Sequence, residues 1–133
     1  MITQEIQIVD QAGRPRIVMS AKDGTPVIEF VRTDARSVVT IKLDKDDRPS
    51  VTLSNPDTGG PTTALEVDDK GAHVIFNRPG GASSYLFLNN SGGSGVVLID
   101  ASGVRRASVL VTADGKVTTQ GVIPQNGNGK AQP

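Results

Sequence analysis

Apolar residues recur two positions apart along most of the chain, in half of the cases with a polar residue between them, and a turn signal follows each pair. The pairs are Ile6 and Ile8, Ile17 and Met19, Ile28 and Phe30, Val39 and Ile41, Val51 and Leu53, Leu65 and Val67, Val74 and Phe76, Tyr85 and Phe87, Val96 and Leu98, and Val109 and Val111. Alternation of this kind, as in Val51, Thr52, Leu53, Ser54, is the period-two signature of a strand with one buried face. No window carries apolar residues at i, i+3, i+4 and i+7 over the length that a helix needs. The pattern therefore predicts an all-β protein. One strand plus one turn occupies about 11 residues, so ten or eleven strands fit.

Taken two strands at a time, the pairs form a unit of about 22 residues in five copies, the clearest being Gly95 to Lys116. A period kept this evenly marks internal repeats rather than a chance spacing of aliphatics. Two architectures satisfy such a unit. One is an antiparallel meander, left as a sheet, rolled, or folded into a sandwich; the other is a β-solenoid, with parallel strands stacked coil on coil. The turns are rich in Asp and Gly, as at Asp10 to Gly13, Asp100 to Gly103, and Asp114 with Gly115, and short turns of that chemistry favour the meander. The alternation ends at Thr119. Residues 1–120 are read as a single repetitive β domain and 121–133, with several Gly, Asn and Pro residues, as a flexible C-terminal tail.

The side opposite the paired apolar positions is polar early in the chain, at Gln7, Glu29, Thr40, Lys42, Thr52 and Glu66. Later it is read as apolar, at Ile75, Leu86, Leu88, Val97, Ile99 and Leu110. Either later strands lie inside a sandwich or rolled sheet, or those six residues are an interface. Large aliphatics left in water forgo roughly 1.5–3 kcal/mol each and form an adhesive patch. The second reading predicts a homo-oligomer, with a trimer as one order considered, within a larger assembly.

Composition adds mainly exclusions. Lys plus Arg equals Asp plus Glu at 14 each, so net charge implies neither a nucleic-acid partner nor an acidic shell. With no cysteine, thiolate chemistry is absent. The beginning of the chain lacks the basic and apolar regions of a signal peptide, and no apolar run approaches a membrane span. The expectation is a soluble protein without a membrane partner, either cytoplasmic or part of a virion or extracellular assembly.

Candidate chemistry is sparse. His73 is the sole histidine and has no nucleophile or metal-ligand spacing beside it, so it reads as an ordinary strand residue. Asp44, Asp46 and Asp47, with Asp68 and Asp69, resemble part of an oxygen-ligand loop but lack the glycine and distal glutamate of a calcium hand, and read as solvated turn carboxylates. The Gly80–Gly81 and Gly92–Gly93 stretches open no helix and cradle no phosphate. Arg14, Arg16, Arg36, Arg105 and Arg106 recur beside first turns and are expected to pair with turn aspartates.

From Glu5 to Lys116 the rhythm of Asp-x-x-Gly, a basic residue and a strand resembles the repeats of bacterial YD-repeat shells and trimeric phage fibre segments. The Tyr-Asp dipeptide of the former is absent, and the resemblance assigns no site residue. The chain is expected to be non-enzymatic and to need no metal or cofactor. Its expected role is that of a self-assembling component of a particle, fibre, phage tail or cell-surface assembly. The alternative is a small-ligand or carbohydrate-binding β domain.

Overall fold

The structure is a computed structural model, and it describes residues 2–121. From position 122 onward the expected tail lies outside the described residues. The strands are β1 (Glu5–Val9), β2 (Pro15–Ser20), β3 (Val27–Val31), β4 (Ser37–Leu43), β5 (Pro49–Leu53), β6 (Thr62–Val67), β7 (Gly71–Asn77), β8 (Ser83–Asn89), β9 (Ser94–Ile99), β10 (Arg105–Val111) and β11 (Val117–Gln120). They form one open sheet in chain order, β1 through β11, and every neighbouring pair is antiparallel. No described residue is helical.

Every apolar pair picked out by alternation falls within a strand. The antiparallel pairing does not fit the parallel stacking of a solenoid. Nor do the described strands fold back into a second layer, as a sandwich would require, or close into a barrel, since β1 and β11 each have one neighbour.

Local chemistry explains the meander. Seven of the hairpin turns share one construction: residue i pairs its backbone with residue i+4, while the N–H of i+3, held at positive φ, donates to the carbonyl of i. These turns begin at Asp10, Arg32, Asp44, Arg78, Asn89, Asp100 and Thr112. At Asp10, Asp44 and Asp100 the side-chain Oδ1 also accepts the N–H groups of i+2 and i+4 at 2.8–3.1 Å, fixing the turn from inside. Short polar side chains that accept local N–H groups stabilise tight reversals, and a three-residue loop with one left-handed position matches the twist of its flanking strands.

The left-handed position is glycine in five of these turns, but Ala35 at φ 65° and Asp47 at φ 59° in the other two. A Cβ makes that conformation costly, so Ala35→Gly is expected to stabilise the protein by about 0.5–1 kcal/mol. Denaturant unfolding checks this, and a loss of stability in the variant would contradict the strain.

A single-layer sheet has little interior. Among the described residues Val97, at 1% exposure, is the one large apolar side chain that is fully buried, and Ser108 is the buried polar one. The expectation that the paired apolar positions form a core is thus corrected: most of them are exposed, because nothing in the chain's own described structure lies over them.

Candidate functional site

Strand register assigns each side chain to one of two faces, because directly paired residues point the same way. Across the middle of the first face runs Ile6, Met19, Ile28, Ile41, Val51, Leu65, Val74, Leu86, Val96, Val109 and Thr119, one residue from every strand. Beside it lies a second row, from Ile8 and Ile17 through Phe30, Val39, Leu53, Thr63, Phe76 and Ser84 to Leu98, apolar but for Thr63 and Ser84. Residues from both rows are among the exposed large hydrophobics. The central row of this apolar face is unbroken from β1 to β10 and ends in Thr119 on β11.

The opposite face is mixed. Its central row reads Gln7, Val18, Glu29, Thr40, Thr52, Ala64, Ile75, Tyr85, Val97, Ser108 and Gln120. The early half is largely polar, and two of its contacts are side chain to side chain: the Ser37 hydroxyl donates to Glu29 Oε1 at 2.8 Å, and His73 Nε2 lies 3.1 Å from Glu66 Oε2 on the neighbouring strand. The late half packs on itself. Tyr85 and Phe87 stand with ring centroids 5.9 Å apart, and a Cβ on Gly95 would meet Leu110 Cδ2 at 2.6 Å and Phe87 Cε1 at 3.2 Å, so these side chains close over the β9 backbone.

Of the six residues read from the sequence as one patch, Ile75, Val97, Ile99 and Leu110 lie on the mixed face. There Val97 is buried and the other three are half-buried. Leu86 and Leu88 belong instead to the apolar face, paired with Val74 and Ala72, and are 55% and 57% exposed. The correction follows from β8, where Tyr85, Leu86, Phe87 and Leu88 are consecutive and alternation alone cannot choose a side. Tyr85 and Phe87, first grouped with the core positions, sit on the mixed face.

The turns form two further surfaces, because successive hairpins reverse at opposite edges of the sheet. One edge carries the turns after β1, β3, β5, β7 and β9. In or beside them lie Arg14, Arg16, Arg32, Arg36, Arg78, Arg105 and Arg106, every arginine of the chain except Arg48, against Asp10, Asp34, Asp57 and Asp100. The other edge carries Asp23, Asp44, Asp46, Asp47, Asp68, Asp69 and Asp114, against Lys22, Lys45, Lys70, Lys116 and Arg48. The first edge is net positive and the second net negative.

The predicted pairing of arginines with turn aspartates is present in part. Arg14 Nε lies 3.0 Å from Asp10 Oδ2, Arg36 Nη2 lies 2.8 Å from Asp34 Oδ2, and Arg106 pairs with Asp100. Among the described residues Arg78 and Arg105 make no ion pair, although Arg105 Nη2 donates to the Tyr85 hydroxyl at 3.4 Å.

These turns hold several carboxyls below their ordinary value of 3.8: Asp10, Asp44, Asp68 and Asp100 chiefly through backbone N–H donors from Arg14, Arg48, Lys70 and Val104, Asp34 through the Arg36 guanidinium, and Asp114 through the Thr112 hydroxyl. A carboxyl whose pKa is depressed on folding contributes stability that is fully present above the unfolded value and is lost as pH falls through the folded one. The expected outcome is an unfolding midpoint that, as far as these groups set it, holds at neutral pH and declines below about pH 4, with Asp100→Asn flattening the decline. An Asp100→Asn profile parallel to that of the unmodified chain would contradict the role of the turn carboxylates.

No group of three or more potential metal ligands converges among the described residues. No family model, no curated protein and no solved structure matches the chain.

Proposed function

We propose that this chain is a non-enzymatic structural module, a self-assembling component of a particle, fibre, phage tail or cell-surface assembly, in which further copies of the chain cover the apolar face. The observation that carries this reading is the apolar face itself, whose central row is unbroken over ten strands in a sheet that buries one large apolar side chain among its described residues.

Eleven strands at ~4.8 Å spacing and a width of five to six residues give a face of roughly 50 by 17 Å, on the order of 800 Å². That is about one partner's share of a standard protein interface. At ~25 cal/mol per Å², covering it is worth on the order of 20 kcal/mol per chain. The exposed aliphatics provide no directed polar groups or charges to select a small molecule. They do provide a long, regular surface that another copy of the same sheet complements.

If folding and association are one event, the thermal unfolding midpoint rises with protein concentration by mass action, over about a hundredfold range of dilution. A midpoint independent of concentration would overturn the reading. A small-ligand or carbohydrate site is the second reading, favoured by the depression on the mixed face that His73, Ile75, Tyr85 and Phe87 line. A glycan array without binders would remove its carbohydrate form.

A further inference from the structure

We infer that copies of this chain stand parallel around an axis running along the row of strands, three to an assembly, with the arginine-bearing edge of each against the aspartate-bearing edge of the next. The inference rests on the proposed covering of the apolar face by other copies, and it assigns a role to the two charged edges that the face alone leaves unexplained.

The edges limit the symmetry. If two sheets faced each other with their strand rows running in opposite directions about a two-fold axis along the strands, like edges would meet, and arginines would oppose arginines. Rotation about an axis along the row of strands instead brings the positive edge of one copy to the negative edge of the next. Complementary potentials select such arrangements and like charges disfavour the alternatives. Because turns alternate between edges, those of one copy fall opposite the gaps between those of its neighbour. Arg78, which has no ion-pair partner among the described residues, comes within about one strand spacing, ~5 Å along the axis, of the turn containing Asp68 and Asp69. Arg105, also without an ion pair there, comes within about one strand spacing of that of Asp114.

Strand length limits the number of copies. Most strands have five to seven residues, a wall roughly 17–23 Å wide at ~3.3 Å per residue. Three such walls place the axis about 5–7 Å from each, close to half the ~10 Å spacing of packed sheets. The central apolar rows then meet at the axis. Four walls would leave it empty. Two walls would bury the faces but hold the backbones of the facing edges about 10 Å apart, so that the edges do not meet directly. With three, each edge touches its neighbour in a closed, head-to-tail ring.

The test uses the absence of native cysteine. Pro79→Cys lies on the positive edge and Asp69→Cys on the negative one, at exposed turn positions on opposite ends of β7. Within one chain they are roughly 23 Å apart, beyond a short thiol cross-linker. The chain carrying both substitutions is expected to give a covalent ladder that ends at three chains on a denaturing gel, while either single variant stays at one. Cross-linking of a single variant to itself, a ladder ending at two, a ladder running past three, or no cross-link in an oligomeric sample would each overturn the inference. Ser102→Cys with Ala113→Cys, at opposite ends of β10, repeats the test if the first pair fails to fold. Sedimentation of the uncross-linked variants separates the two levels of the account: a folded single chain removes the proposed function itself, whereas a dimer leaves self-assembly in place and removes the three-walled arrangement.

Discussion

Leu86→Asp is expected to dissociate the protein. Leu86 lies in the central row of the apolar face between Val74 and Val96 and is more than half exposed in the single chain. In a sheet that functions alone, an aspartate there would be solvated and would cost only a change in strand preference, at most ~1 kcal/mol. In an assembly that covers this face, each copy loses the burial of a leucine and buries an unpaired carboxylate, together about 3 kcal/mol or more per copy. Every copy carries the change, and each ~1.4 kcal/mol is a tenfold change in affinity, so association should fall more than a hundredfold per contact. Sedimentation velocity should show the variant at the mass of one chain or unfolded. Thr52→Lys provides the control on the polar half of the mixed face, between Thr40 and Ala64, and should leave the mass unchanged. Equal behaviour of the two variants would contradict the assignment of the faces.

Gly71→Ala should produce a large loss of stability that does not act through the apolar face. Gly71 opens β7 at φ 148° and is buried, and a Cβ there would stand 2.2 Å from the Leu88 carbonyl oxygen and 2.6 Å from Asn89 Cα. Both obstacles are backbone of a paired strand and cannot rotate away. The residue also joins the β6–β7 turn: its N–H donates to Asp68 Oδ1 at 3.0 Å, and its carbonyl accepts the Asp68 N–H at 2.9 Å. Separating the strands to admit the methyl group weakens the pairing there, and the combined cost is about 2–4 kcal/mol. Gly80→Ala isolates the backbone term, since its φ is also positive but nothing lies within 4 Å of its Cβ position; about 1 kcal/mol is expected. Denaturant unfolding of both variants decides the matter, and equal losses would show that the close approach at Gly71 does not matter.

Much of the fold was legible in the sequence. Apolar residues spaced two apart locate every strand through β10, and Asp and Gly in the turns favour antiparallel hairpins, as at Asp10 to Gly13 and Asp100 to Gly103. The face assignment was legible only where alternation is unbroken. Ile6 to Ile8 and Val51 to Leu53 leave no choice of side, whereas Tyr85 to Leu88 does, and there cross-strand register with Ile75 and Val97 decides it. Alternation also reports which side is apolar without saying what lies over it, so Leu53, Leu65 and Phe76 read as core from the sequence and are exposed in the chain. The charged edges were less legible still. Arg14 and Arg106 stand out beside their turns, but Arg32 and Arg78 join them only once strand order shows that alternate turns share an edge.

Sedimentation equilibrium of the unmodified chain at micromolar concentration is the measurement on which the account depends most directly. The 13.9 kDa chain should sediment as a stable multiple of its own mass, three chains by the geometry of the walls and edges. A folded species at the mass of one chain would mean that the apolar face is not covered by copies of itself, and would contradict the account.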